Sequence, residues 1–369
     1  MKPRAVLAVT NDMVTDQRVH RMALTLVAMG LAVTVVGRVL PHSPPITGRP
    51  YSVHRFKLLF RRGKLFYIEY NIRLLCYLLA QKAALLWAND LDTLGPCWLV
   101  ATLKRLPLVY DSHEYFTEVP ELQGRPLTRA VWLALERLIA PRLRYFITVT
   151  DAIAAEYRRR YGAPILTVRN VPLRREALPC AQRGAVLIYQ GALNKGRGVE
   201  FLLQTMPLLP GVELWLAGAG DRVPELKRLH AELDLGARVR FLGRIPLEEL
   251  PAITAQARIG LSLEEELGLS YRYGMPNKLF DYIQQHLPVI VSPLAEMAAL
   301  VRRYDVGIVL EERTPQALAT AVRTLLEDDT RYTHYAANAA RAAEALCWEQ
   351  EQEKVRALVR QALPSHEVC

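Results

Sequence analysis

Residues 274–292, GMPNKLFDYIQQHLPVIVS, decide how this chain reads. Pro276 and Asn277 stand where a helix begins, because the N–H that proline lacks would be unpaired in a first turn anyway. Leu279, Phe280, Ile283 and Leu287 recur at helical spacing and give an apolar stripe. Lys278 and Asp281 are three apart and share a helix face. Pro288-Val-Ile-Val-Ser292 then reads as a buried strand. A helix start with unpaired N–H groups beside a lysine suits a phosphate. A carboxylate one turn further in suits a sugar hydroxyl. The stretch predicts a nucleotide-sugar pocket on an α/β frame; it also fits a plain amphipathic helix with a surface aspartate.

The same stretch resembles the donor-binding segment of the retaining glycosyltransferases of family 4, which have the GT-B fold. There an acidic residue stands seven places before the Pro-Val of the next strand, a spacing that Asp281 and Pro288-Val289 keep. The resemblance implies that Asp281 binds the ribose hydroxyls of a donor nucleotide. Many members carry a glutamate eight residues earlier, where this chain has Tyr273; Glu264, Glu265 and Glu266 lie nearby but out of register. The donor contacts expected beside Asp281 are Asn277, Lys278, Tyr273 and the backbone around Met275.

Working outward, strands alternate with helices in two series. The second runs from a strand at Val186–Tyr189 through strands at 213–217, 239–242 and 259–263. The first holds strands at 4–9, 31–37, 108–110, 145–149 and 165–168, helices at 16–30, 126–140 and 150–161, and one long helix, continuous or broken, over 64–88. Alternation of this kind means parallel sheets with helices on both faces. The fold class is therefore α/β, and with the resemblance it becomes two tandem Rossmann-like doubly wound domains facing each other across a cleft. The expected boundaries are an N-terminal acceptor domain over 1–172, a linker over 173–184, a C-terminal donor domain over 185–345, and a helix over 346–369 returning to the first domain.

The chain has 369 residues, 51% hydrophobic and 23% charged, which suits two domains with large cores and excludes a disordered chain. Its five cysteines are scattered without a CxxC pair, which argues against a disulfide framework or a zinc site. The run AVLAV after the start is too short for a signal peptide, and no long uncharged stretch predicts a membrane span, so a cytoplasmic protein is expected. The net charge of +10 is uneven: residues 1–180 hold 26 Lys and Arg against 13 Asp and Glu. A basic half suits nucleic acid, an anionic membrane or a phosphorylated substrate, or is simply a solvated face.

Four further constellations carry chemistry. Tyr189-Gln-Gly191-Ala-Leu-Asn-Lys195-Gly-Arg197-Gly198 is a strand entering a Gly-rich loop, where close backbone approach and two cations suit a diphosphate. In the resembling family a Lys-Gly stands where this chain has Arg197-Gly198, and arginine grips phosphate with two bonds. Leu216-Ala-Gly-Ala-Gly220-Asp221 is a strand with a GxG turn, and Gly220 is expected to line the pocket. His113, after the strand that ends in Tyr110-Asp111, stands at the carboxyl end of a parallel sheet, where such sheets bind ligands. The resemblance implies that it lies beside the transferred sugar. Arg18 and His20, in the loop and helix after the first strand, are expected to meet the acceptor. Residues 55–64, RFKLLFRRGK, together with the apolar helix after them, fit either a membrane-surface patch for a lipid-linked acceptor or a buried helix with a basic loop.

The expected activity is transfer of a sugar from a nucleoside-diphosphate sugar to a glycan, lipid-linked or small-molecule acceptor, with retention of configuration. His113, Lys195 and Arg197 would be the catalytic side chains. No cofactor is expected, since the nucleotide-sugar is a substrate, and no metal, since fixed cations stand where a DxD motif would hold one. A nucleotide-sugar epimerase or phosphorylase, or a non-enzymatic basic binder of membrane or nucleic acid, are the alternatives; the chain lacks the aromatic interleaving of a single-strand binder.

Overall fold

The computed structural model describes residues 2–122, 124–178 and 184–364. Part of the expected linker, 179–183, and the end of the C-terminal segment, 365–369, lie outside the described residues. The chain divides into two compact units. The first runs up to Asn170 and takes in the chain from Gln350 onward; the second is Val171–Glu349.

The first unit is built on a seven-stranded sheet. Its strands are β1 (Arg4–Ala8), β2 (Ala32–Arg38), β3 (Ser52–Phe56), β4 (Leu85–Asn89), β5 (Leu108–Ser112), β6 (Tyr145–Thr148) and β7 (Ile165–Thr167). They lie in the order 3-2-1-4-5-6-7, and the paired strands are parallel. The order reverses between β1 and β4. Open α/β sheets bind ligands at such a switch point, beyond the carboxyl ends of the strands.

One expectation fails here, and one strand was not foreseen. The long helix over 64–88 ends at Ala80, and β4 follows it beside β1. All five β4 residues are buried. A strand buried on both faces is as continuously apolar as the helix before it, so periodicity cannot separate them. The edge strand β3, with its alternating partly exposed pattern, is not among the expected strands.

The second unit holds β8 (Val186–Gln190), β9 (Glu213–Ala217), β10 (Val239–Gly243), β11 (Ile259–Ser262), β12 (Val289–Val291) and β13 (Gly307–Val309), in the order 10-9-8-11-12-13. Its switch point lies between β8 and β11. Leu187 and Tyr189 of β8 enter one core cluster and Val186 and Ile188 the other, so alternate side chains feed the two faces. Each fully buried aliphatic side chain contributes about 1.5–3 kcal/mol.

The C-terminal pair of helices breaks at Leu346, giving Asp329–Ala345 and Trp348–Ala362. Within the first unit, the chain beyond Gln350 is tied to the sheet. Glu351 accepts from the Arg169 N–H at 3.0 Å, Lys354 donates to the Thr167 carbonyl at 3.2 Å, and Tyr145 donates to the Gln361 carbonyl at 3.0 Å.

Candidate active site

The second unit gathers most of the predicted donor residues at the carboxyl ends of β8 and β11. The helix Asn277–Gln284 starts after Pro276, whose backbone is extended (ψ 131°) and whose carbonyl accepts from the Leu279 N–H at 3.2 Å. The Tyr282 hydroxyl anchors this helix to the sheet. It accepts from the Gln190 N–H at 3.0 Å and faces the carbonyls of Ile188 and Leu261 at 3.2 Å. One residue back, Asp281 is half-buried, and its Oδ2 accepts from Gln190 Nε2 at 2.9 Å. Gln190 Oε1 in turn accepts from Thr254 Oγ1 at 2.8 Å. The Thr254–Gln190–Asp281 chain holds the carboxylate in one orientation.

Lys278 requires a correction. It is not an open cation for a diphosphate: its side chain is 7% exposed, its Nζ lies 2.5 Å from Glu264 Oε1, and it stands 4.0 Å above the Tyr189 ring. Ser262 Oγ donates to the other oxygen of Glu264 at 2.8 Å. Burial alone would raise the Glu264 carboxyl, but the Lys278 ammonium outweighs it and holds the group below its ordinary range. The sequence reading passed over Glu264 as out of register. The signal available was its place two residues after the end of β11, at the switch point.

The Gly-rich loop supplies the cations that remain. Lys195 is exposed. Arg197 is partly buried, its guanidinium 5.1 Å from the Tyr271 ring, and its Nε is buried with no hydrogen-bond partner. A buried N–H without a partner is costly, and an arriving anion would satisfy it. Gly191 turns the chain out of β8 with φ +131°, close against the Lys278 stem.

Gly220 is exposed and also answers a packing need. A Cβ there would sit 2.3 Å from the Leu193 carbonyl oxygen, so only glycine lets the 218–222 turn lie against the 190–198 loop. Two backbone hydrogen bonds, Leu193 N–H to Ala219 and Arg222 N–H to Leu193, stitch the loops together. Met275 packs against a core cluster and is partly buried. Tyr273 ends the short helix Leu269–Tyr273 and is half-buried, and Asn277 is exposed.

In the first unit the residues around the β1/β4 switch point form a charged knot. Arg18 is buried and clamps Asp111, with Nη2–Oδ1 at 2.6 Å, and donates to the Val168 carbonyl at 2.8 Å. The expectation that Arg18 meets an acceptor is therefore corrected: its guanidinium is spent inside the fold. Burial would raise Asp111, but Arg18 and then His113 pull it down to about 2.

His113 Nδ1 lies 3.3 Å from Asp90 Oδ2, and Nε2 lies 3.3 Å from Asn89 Oδ1 and 3.6 Å from Asp111 Oδ2. Burial works to lower its pKa, yet Asp90 and Asp111 carry it up to about 9. His113 is thus an imidazolium at neutral pH and no proton acceptor. His20 goes the other way: burial, then Arg49 and Arg21, bring it down to about 4, and its Nδ1 meets the Tyr51 hydroxyl at 2.9 Å.

Two family models match the chain. One described as glycosyl transferase 4-like domain matches residues 15–174, and one described as glycosyl transferases group 1 matches residues 184–328. The chain belongs to the family 4 glycosyltransferases. It is 25% identical over 171 residues to the lipopolysaccharide core biosynthesis glycosyltransferase LpsE of Rhizobium meliloti, a match covering 46% of this chain and 48% of LpsE. The chain spans about half the length of the curated relatives it matches. In fold it is similar to sucrose-phosphate synthase of Thermosynechococcus elongatus, with a TM-score of 0.83 at 20% identity over 99% of this chain and 100% of that one. It is also similar to HepE of Anabaena, solved with UDP and glucose, with a TM-score of 0.75 at 15% identity over 97% of this chain and 100% of that one. Both are GT-B structures, and the two parallel α/β units match that fold.

Proposed function

We propose that this protein transfers a sugar from a nucleoside-diphosphate sugar to a glycan acceptor, with retention of configuration. The observation that carries the reading is the meeting of three features at the β8/β11 switch point. These are an oriented carboxylate at Asp281, an arginine with an unpartnered buried Nε at Arg197, and the start of a helix at Asn277. Asp281 takes the ribose hydroxyls. Lys195, Arg197 and the N–H groups at the helix start receive the diphosphate as it leaves with its negative charge. Fixed donors aimed at developing charge are worth about 2.7–4 kcal/mol each, and they need no metal. Lys278 shapes the floor of this site through Glu264 rather than neutralising phosphate itself.

The acceptor belongs to the first unit, where His113 stands beside Asn89 at the end of β4 and His20 is held by Tyr51 just before β3. The likeness to LpsE favours an envelope glycan, and the HepE complex favours a UDP-sugar. A lipid-linked acceptor at the inner face of a membrane fits the basic first half.

The test is thermal stabilisation of the purified protein by UDP, GDP, ADP and their sugars, repeated with Asp281→Ala. A ligand at about 100 times its Kd adds about 2.7 kcal/mol. A shift with one diphosphate that disappears in the variant names the base and supports the pocket; no shift with any of them overturns the reading.

A further inference from the structure

The apolar surface of the first unit is unevenly placed. Of the fifteen large apolar side chains exposed among the described residues, eleven lie on three helices of this unit and on the loop before the first of them. The helices are Gly63–Ala80, Leu91–Lys104 and Pro126–Ile139. They form one continuous layer. Lys104 Nζ donates to the carbonyls of Leu78 and Leu79 at 3.1 and 2.6 Å, Gly95 lies against Leu135, and the rings of Tyr67 and Trp132 meet edge to face at 5.3 Å.

Helix Gly63–Ala80 has two apolar faces. Phe66, Tyr70, Leu74 and Leu78 point into the core. Leu65, Ile68, Ile72 and Leu79 recur at the same helical spacing on the outside, each at least 43% exposed. A helix with apolar residues on two opposite faces is normally covered on both. On Pro126–Ile139, Leu127, Val131 and Leu138 repeat the pattern outward.

The loop before the first helix is built to present its side chains. The Glu69 carboxylate accepts from the N–H groups of Leu59 and Phe60 at 3.0 and 2.9 Å, and this leaves their side chains 80% and 43% exposed. Glu69 is the only acid between residues 17 and 89, and Arg73 pairs with it at 2.8 Å. The exposed Lys57, Arg61, Arg62 and Lys64 around it therefore face outward with no acid to oppose them in this stretch. The one acid of helix Pro126–Ile139, Glu136, is buried.

We propose that this helix layer seats the protein on an anionic lipid surface, with Leu59 and Phe60 entering the boundary between headgroups and acyl chains. Apolar side chains ringed by basic ones, without acids, are what an anionic bilayer surface recognises. Among the described residues no helix is long and apolar enough to cross a membrane, so the layer lies on the surface. The proposal takes its purpose from the transferase reading, since it would hold the enzyme at a lipid-linked acceptor, but the binding itself needs neither donor nor acceptor.

The test is sedimentation of the full chain with vesicles of phosphatidylcholine alone or with phosphatidylglycerol, at low and high salt. Three variants are compared: Leu59→Ser/Phe60→Ser, Ile68→Gln/Ile72→Gln and Arg61→Gln/Arg62→Gln/Lys64→Gln. All three change exposed side chains outside the donor site, so the melting temperature and the nucleotide-induced shift serve as fold controls. Binding to phosphatidylglycerol vesicles should fall with salt and drop about fivefold for each basic residue removed. It should also weaken in both apolar variants. Equal partition into both vesicle types, or a change below about twofold in the basic variant, overturns the proposal. So does a wild-type dimer in sedimentation velocity that Ile68→Gln/Ile72→Gln dissociates while no vesicle binding is seen; a second copy would then cover the face. Failure of nucleotide binding would leave the vesicle result untouched, which separates the two readings.

Discussion

Lys278 Nζ lies 2.5 Å from Glu264 Oε1, and both side chains are almost wholly buried at the mouth of the donor site. The lysine that the sequence offers to a phosphate is thus already neutralised by a carboxylate that arrives from the end of β11. Charges taken out of water are tolerated only when paired, and removing one partner strands the other.

Glu264→Gln should therefore destabilise the second unit by about 3–5 kcal/mol, because it leaves an ammonium buried without a counter-charge. Lys278→Met alone should cost a similar amount. The double variant should recover most of the loss, since it removes both desolvated charges together. Urea unfolding of the three proteins reads this directly, and additive losses in the double variant would show that the pair is not coupled.

Gln190 lies behind Asp281 and touches no expected ligand atom. Its amide orients the carboxylate from 2.9 Å while its oxygen is held by Thr254. Gln190→Leu should weaken nucleotide-diphosphate binding by about tenfold, the worth of one hydrogen bond of about 1–1.5 kcal/mol. The loss should be smaller than in Asp281→Ala. Isothermal titration calorimetry with the diphosphate found by the thermal screen measures both; an unchanged Kd would show that Asp281 needs no such support.

Asp92 opposes the rest of the knot in the first unit. Burial, and then neighbouring Asp90, push its carboxyl up to about 7; Thr10 donates to Oδ2 at 2.6 Å, while Oδ1 is buried with no hydrogen-bond partner. A raised carboxyl contributes stability that is complete below its unfolded value near 3.9 and is lost as pH rises through 7. The penalty for ionising it approaches about 4 kcal/mol above that pH. Asp92→Asn removes the penalty and adds about 1–3 kcal/mol for an unpaired buried amide nitrogen. The variant should be more stable than wild type by about 1–3 kcal/mol at pH 8 and no more stable at pH 5. Chemical denaturation across that range checks the sign; a gain at pH 5 that vanishes at pH 8 would contradict it.

The alternation of elements, the switch from helical to strand periodicity at 276–292 and the glycines of the 191–198 loop were legible in the letters, because each depends on neighbours within a few residues. So was the apolar, basic run over 55–75. β4 was not legible. Buried on both faces, it carries no alternation to distinguish it from the apolar helix that precedes it. The order of strands in each sheet, and hence the position of each switch point, depends on pairings between segments far apart in sequence.

Sequence alone determined two α/β units, the helix that carries Asp281 and the surplus of positive charge in the first half. Tertiary structure decided which charges are open and which are spent. Arg18 and Lys278 look, as letters, like cations free to meet a substrate. In the folded chain each is held within 2.6 Å of a buried carboxylate, from Asp111 in one case and Glu264 in the other. The physical reason is that a side chain's charge is local to its residue, whereas its desolvation and its partner are properties of the packing around it.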